Sequence, residues 1–409
     1  MTSLITNTSA MVALQTLRGI NNGLDSTNTR VSTGLRINSA QDGAAYWSIA
    51  TTTRSDNGAL GAAKDALALG KSSVDVAKTG MDEALDALKQ VKNLLVTASS
   101  PDADRSKIQQ EIKIQLDRIA GASNSASTSG NNWLSVDSAA TGYNAVKSVV
   151  GSFSRSSTGV TIDTIDIDTS GVKLYDTNAA TTAAVQTAAT TGAATYATAV
   201  TTYDTAVTTA GTTYTTAVAA AQAVFDASPQ AAADQTTLDT AIATATTTRN
   251  TALTTAKTTL TTAQTTLTTA LDTAGSDDLG IMDQTRVAFG EDGSAVVSTI
   301  AGIDISALTG SADDLQKISN YMSIVDDALG DMTDANTTLG ANAARIASQS
   351  NFAQALIDAN DRAIGALVDA DMEAESTKLK ALQTQQQLAI QSLSIANSST
   401  QNVLSLFRS

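Results

Sequence analysis

Asp163, Asp166 and Asp168 crowd the stretch "VTIDTIDIDTSG", where closely spaced carboxylates could gather oxygen ligands around a calcium ion. The stretch lacks the glycine-containing loop and the distal glutamate of an EF-hand register, so solvent-facing strand carboxylates are the better reading. A second polar group, Arg36, Asn38, Ser39 and Asp42, sits in "STGLRINSAQDGAAYW". There a guanidinium and a carboxylate could make charge-assisted hydrogen bonds. The chain has no His and no Cys. That excludes a Ser-His-Asp triad, a Cys-His dyad, a zinc finger and an HExxH metalloprotease, each of which needs an imidazole or a thiolate. Only carboxylate chemistry is left, and the remaining acids are scattered along helical faces as solvated charges. No catalytic, cofactor-binding or metal-binding residue is assigned, and the expectation is that the chain is not an enzyme.

The elements that carry these groups are read from composition and periodicity. With 409 residues the length suits two or three domains, but only 3% of residues are aromatic. Long amphipathic helices packing Ala, Leu, Ile and Val in an elongated bundle fit that composition better than several compact cores. A net charge of -15, with no basic stripe, argues against nucleic acid. No apolar run reaches the roughly 20 residues of a membrane span, so no membrane insertion is expected. The N-terminal "MTSLITNTSAMVALQTLRG" has no cationic start and no continuous apolar region, and does not read as a Sec signal.

Leu14, Leu17, Ile20, Leu24, Val31 and Leu35 form a heptad-like stripe near one end. Leu382, Ala389, Leu393, Ala396, Val403 and Phe407 form a matching stripe near the other, with Gln386 and Thr400 completing the seam. The two terminal helices are expected to pair and to become ordered mainly against other copies. A simple intramolecular pair is the alternative. Between them, Leu85, Leu88, Val91 and Leu95 line one helical face before "TASSPDADRS". Ile108, Ile112, Leu116 and Ile119 line another after it, and Leu315, Ile318, Met322, Val325 and Leu329 a third. These three predict a bundle. Ser39 and Asp42 read as a capping-box-like start, and Gly34 and Asn38 suit the exit from the first helix, so the segment is a joint.

The middle changes character. "VVGSFSR", "GVTIDTIDIDTSG" and "RVAFGEDGSAVVSTI" are β-branched stretches bounded by Gly and Ser, the last a hairpin turning at Gly290 to Gly293. Residues 179 to 274 are almost entirely Thr and Ala. Their larger residues are nevertheless periodic: Tyr203, Tyr214 and Phe225, like Tyr196, Val207 and Val218, step by eleven, while Leu253, Leu260 and Leu267 step by seven. The stretch reads as a helical hairpin turning near Pro229. Disorder is the alternative, because the two arms then have different superhelical periods.

The run "ITNTSAMVALQTLRGINNGLDSTNTRVSTGLRINSAQDGAAYWSIA" resembles the opening of the bacterial flagellins, including their "LSSGLRINSAxDDAA" connector. The ending "DADMEAESTKLKALQTQQQLAIQSLSIANSSTQNVLSLFRS" resembles their final helix. "AAYWSIATTTRSDN" and "KSVVGSF" resemble the rhizobial, alphaproteobacterial branch. The resemblance covers about residues 1 to 137 and 310 to 409. It implies a mainly α, elongated bundle: terminal coiled-coil helices of an inner tube (1–36, 359–409), a connector and helical core layer (37–137), and a returning core helix (310–358). A β-rich segment (138–178), the Thr/Ala-rich outer hairpin (179–274) and a β-hairpin region (275–309) lie between. It implies a structural subunit of the motility filament, secreted by type III export to the extracellular flagellum. The implied partners are other copies in a helical homopolymer, the export apparatus, a flagellin chaperone, and the filament cap and hook-junction proteins. Co-assembly with other flagellins stays open. The alternatives are a hook-filament junction protein of the same superfamily and a surface adhesin using the variable segment.

The resemblance also implies two host-receptor epitopes. In the plant-receptor stretch, residues 29 to 50, Gly43 replaces an expected Asp, and Tyr46 and Trp47 replace smaller residues. In the toll-like receptor epitope, "LKQVKNL" puts Gln90 and Lys92 where "LQRVREL" has Arg, and Asn93 where it has Glu, while Glu111 is retained. Weak engagement of both receptors is expected.

Overall fold

The computed structural model describes residues 7–156, 159–290 and 293–406. Among them the chain is mainly α, and its helices begin where the sequence supplies caps. Helix α1 (Thr8–Thr33) starts at Asn7, whose carboxamide oxygen accepts from the Ala10 amide at 2.9 Å. It stops at Gly34, left-handed at φ 71°, whose N–H donates to the Arg30 carbonyl. A side chain there would be strained. Helix α2 (Ala40–Ala98) makes a single turn, is interrupted by an extended Gly43 (φ 168°, ψ 86°), and then runs on. It ends just before Pro101. Asp104 restarts the chain as α3 (Arg105–Ser125) by accepting from the Lys107 amide at 3.2 Å.

The strands form two-stranded pairs. Strand β1 (Ser127–Thr128) is antiparallel to β2 (Asn131–Asn132), and β3 (Ser135–Val136) runs parallel to β6 (Tyr175–Asp176). Strand β4 (Val146–Ser156) pairs with β5 (Gly159–Asp168) in the stretch expected from its β-branched residues. Strands β7 (Arg286–Phe289) and β8 (Ala295–Ser298) are antiparallel, with Val287 opposite Val297; part of the expected turn, residues 291–292, lies outside the described residues.

Residues 179 to 274 fold as two helices, α4 (Ala179–Asp226) and α5 (Ala232–Thr273), which turn through Ser228 to Ala231. Thr is a poor helix former. Here its hydroxyls turn back on their own helix and donate to the carbonyl four residues earlier, as from Thr187 to Ala183 and from Thr258 to Thr254, both at 2.9 Å. The expected difference in period between the arms is corrected. On α5 the buried positions include Ala245, Ala256 and Leu267, steps of eleven, and Leu253 and Leu260 are only half-buried. On α4, Val185 and Tyr196 are buried and Tyr203, Tyr214 and Phe225 half-buried, again at eleven. Both arms therefore share a nearly straight seam. Val207 faces solvent, and Ala210 holds the seam in its place. Small seam residues leave a groove of about 600 Å³ in mid-hairpin beside Ala210, Tyr214, Ala245 and Arg249. Arg249 stacks 4.5 Å from the Tyr214 ring centre.

Helix α6 (Ala312–Val368) and helix α7 (Met372–Leu406) complete the chain. The boundary expected between 358 and 359 falls inside α6, because no Gly, Pro or cap interrupts the helical pattern there. By contacts the chain divides into two compact units. One takes the chain up to Ala66, Val150–Asp163, and Ser348 onward; the other takes Leu67–Val149 and Thr164–Ala347. The second unit holds the large core. Leu88, Val91 and Leu95 of α2, Ile112 and Ile119 of α3, and Ile318 and Val325 of α6 are fully buried together, as their spacing predicts. Leu85, Ile108, Leu116, Leu315, Met322 and Leu329 pack against them.

Candidate assembly surface

The first unit is built differently. Its buried apolar cluster is small: Ile37, Ala50, Ile364 and Val368, with Leu367 packed on it. Helices α1 and α7 pair antiparallel in it. On α1 the covered positions are Ala10, Ala13, Leu17, Ile20, Leu24, Thr27 and Val31; on α7 they are Glu375, Leu379, Leu382, Gln386, Ala389, Leu393 and Ala396. Alternating steps of three and four mark a coiled-coil seam on each helix. Thr27 is buried and the rest are half-buried.

Polar contacts fix the register of the pair. Arg30 meets Glu375 at 3.1 Å, the Gln386 amide donates to Asn21 Oδ1 at 2.7 Å, and the Asn7 amide donates to the Ala396 carbonyl at 3.0 Å. Leu382 packs beside Gly23, where a Cβ would stand at an ordinary 3.5 Å from Leu382 Cδ2.

Of the predicted seam residues, Leu17, Leu24, Val31, Leu382, Ala389, Leu393 and Ala396 lie on this seam. Leu14 does not. It faces solvent, because the heptad frame set by Leu17, Leu24 and Val31 puts Ala13 in the neighbouring covered position. Val403 lies on α7, in the part whose side chains are not described, and Phe407 lies outside the described residues.

Outside the seam, aliphatic residues stand uncovered among uncharged polar ones. Met11, Val12 and Leu14 on α1, and Leu388, Ile390 and Ile395 on α7, are exposed. Single exposed aliphatics are ordinary, but here no charge accompanies them. Residues 1–17 and 381–407 contain no Asp, Glu, Lys or Arg, a signal that the periodicity reading passed over. Charge is divided between the units to the same effect. The first carries ten basic and eleven acidic side chains, the second fifteen and twenty-nine. Copies of the first unit can therefore approach with little mutual repulsion. Tyr46, Trp47, Ile49, Phe352 and Met372 add further exposed apolar surface to it.

The connector ties the exit of α1 to the junction of α6 and α7. Leu35 bridges Asp369, the Arg36 and Ile37 amides both donate to the Val368 carbonyl, at 2.7 and 3.3 Å, and the Ala370 amide donates to Gly34 at 2.9 Å. The Arg36 guanidinium donates to the Leu367 carbonyl at 2.8 Å, capping the end of α6. Asp42 accepts from the Ser39 amide at 2.9 Å, the Ser39 hydroxyl at 3.0 Å and the Asn38 amide at 3.1 Å. These bonds, the Ser39 amide first, hold its carboxyl below the usual range. Both charged groups thus have partners within the chain. Arg36→Ala is expected to lower the melting temperature by a few degrees, the loss of about 1 kcal/mol, while Asp42→Ala changes only the local turn. Equal melting of Arg36→Ala and the parent chain would make the guanidinium a bystander.

The strand carboxylates are engaged by hydroxyls and an amide. Asp163 accepts from Ser152 at 3.1 Å, Asp166 from Ser148 at 2.6 Å, and Asp168 from the Ser170 amide at 2.9 Å. At the expected receptor positions, Gln90, Asn93 and Glu111 are exposed, and Lys92 is held by Asp326 at 2.5 Å. Gly43 is half-buried, and a Cβ there would come within 3.3 Å of Ile37 Cδ1.

Comparison with known proteins agrees with this architecture. A family model described as the bacterial flagellin N-terminal helical region matches residues 4–139, and one described as the bacterial flagellin C-terminal helical region matches residues 322–407. Flagellin B of Rhizobium meliloti is 41% identical over 100% of both chains. Flagellin A of the same species is 40% identical, and a flagellin of Brucella melitensis 33% identical, again over the full length of each. Both terminal regions and the full length are thus matched, and the chain belongs to the bacterial flagellins, the structural subunits of the flagellar filament.

Proposed function

We propose that the outward face of α1 and α7 is covered by the same helices of other copies, so that the chain propagates as a helical homopolymer and serves a structural role with no catalysis of its own. The observation that carries this is the exposed aliphatic surface on two charge-free stretches, beside a seam that only half-buries its own residues. Each further methylene covered contributes about 0.8 kcal/mol, available only once a neighbour is present. In this reading the paired helices α1 and α7 line the inner tube, α2, α3 and α6 surround it, residues 138–178 and 275–309 form the β-regions, and 179–274 project outward. The subunit is secreted through the flagellar export apparatus with a chaperone and meets the cap and hook-junction proteins outside the cell. Host receptors are weak partners, a reading supported by the capture of Lys92 by Asp326.

Seeding the purified chain with filament fragments tests the proposal. Filaments are expected by electron microscopy from the full chain, and from a chain in which residues 179–274 are replaced by a short Gly/Ser bridge, because the hairpin packs on itself and on β7 and β8 through Val185, Tyr196, Leu267 and Phe289. Absence of growth from the full chain would refute the polymer reading. Absence from the shortened chain alone would assign the hairpin an assembly role.

A further inference from the structure

We propose that Met11 is an oxidation site through which peroxide controls polymerisation. The inference rests on the reading that the outward face of α1 is covered in the filament. The chain has no Cys, so no thiol competes for a two-electron oxidant. The methionines among the described residues divide sharply by access. Met81, Met282 and Met332 are fully buried and Met322 is half-buried. Met11 is 63% exposed and Met372 43%. Met11 stands on the charge-free stretch of α1 beside the exposed Val12 and Leu14, and its exposed polar neighbours, Thr8 and Gln15, are uncharged.

The thioether sulfur of Met11 attacks one oxygen of hydrogen peroxide. An S–O bond forms, the O–O bond breaks, the sulfur loses two electrons, and the other oxygen leaves as water. The product sulfoxide is polar and chiral. In the free chain it is solvated, but a neighbouring copy that covers it would have to desolvate an S–O dipole where the thioether demanded nothing. The modification therefore leaves the fold of the free chain intact and weakens only the contact between copies. Sulfoxide reductases acting on both epimers reverse it, so the switch is restorable.

The test treats free full-length chain, preformed filaments, and the variants Met11→Leu, Met11→Ile and Met372→Leu with hydrogen peroxide, followed by peptide mass mapping and seeded growth. In the free chain, oxygen is expected at Met11 and then Met372, with Met81, Met282 and Met332 unmodified. The oxidised chain should need about tenfold more protein to elongate seeds, with an unchanged circular dichroism spectrum, and reductase treatment should restore growth. Growth of either Met11 variant should be the same with and without peroxide, whatever its untreated level, whereas Met372→Leu should remain sensitive. Normal growth of the oxidised parent, or equal sensitivity of the Met11 variants, would overturn the proposal. Oxidation of Met11 in filaments as fast as in free chain would instead refute the covering of α1, which separates failure of the polymer reading from failure of the switch.

Discussion

Removal of residues 380–409 is expected to abolish filament growth and to release α1 from its helical state, while the second unit melts as before. The deletion takes away Leu382, Gln386, Ala389, Leu393 and Ala396, five of the seven α7 positions that cover α1. Each half-covered leucine contributes on the order of 1 kcal/mol, and the Asn7–Ala396 and Asn21–Gln386 hydrogen bonds go with it. A helix of 26 residues with little charge pairing is marginal alone. The helical signal should therefore fall by more than the deleted residues account for, the excess measuring α1. The buried cluster around Leu88, Ile112 and Ile318 contains no residue of α1 or α7, so its cooperative transition should stay in place. Filaments from the truncated chain would show that the α1–α7 pair is dispensable for assembly.

The parts of the fold legible in the sequence are those where large apolar residues recur at one helical spacing. Leu88, Val91 and Leu95, and later Ile112 and Ile119, could be placed on core faces because nothing small or polar competes for those positions. The α1 seam was harder. It includes Ala10, Ala13 and Thr27, which mark no hydrophobic face, while the nearby Leu14 carries a misleading signal. The hairpin posed the same difficulty on a larger scale. Leu253 and Leu260 suggested a seven-residue step, whereas the buried positions Ala245 and Ala256 follow eleven, and alanine marks no face by itself. The connector could be read as a joint from Gly34, Ser39 and Asp42. That Arg36 caps α6 could not, because its partner is a backbone carbonyl 331 positions away. Two-residue strands such as β3 and β6 escape periodicity altogether; what holds them is a buried polar network, and local pattern does not encode it.

That network is where the largest single-residue effect is expected. The side chains of Lys173 and Asp176 are 7% and 0% exposed and meet at 2.8 Å. The Lys173 ammonium also donates to the Asp278 carbonyl. Asp176 accepts from the Ser138 amide at 2.9 Å and the Asn178 amide at 3.2 Å, and its own amide donates to Asp283 Oδ2 at 2.7 Å. Asn178 is the N-cap of α4, so this knot sits where the chain enters the hairpin. Gly280 keeps the crossing backbone close: a Cβ there would fall 2.5 Å from the Leu174 oxygen.

Asp176→Ala leaves a buried ammonium without its carboxylate and two amides without an acceptor. A destabilisation of about 3–5 kcal/mol in the second unit is expected, read as denaturant midpoint at constant slope. Burial alone would raise the Asp176 carboxyl, but Lys173 and the Ser138 amide outweigh it and hold the pKa below the ordinary value. A carboxyl depressed in the folded state contributes stability above its unfolded pKa and loses it as pH falls through the folded one. Asp283 runs the other way, raised first by burial and then by the charge of Asp176 against the pull of the Asp176 amide. Its favourable contribution is present below the unfolded pKa and is lost as pH rises through the folded value. Asp283→Asn keeps an oxygen for the Asp176 amide and removes the repulsion. It should therefore stabilise the unit near neutral pH and change little at about pH 3, while Asp176→Ala should shrink the stability lost between about pH 5 and 2. If Asp176→Ala unfolds at the parent's denaturant midpoint, or Asp283→Asn stabilises equally at both pH values, the buried pair does not hold the root of the hairpin.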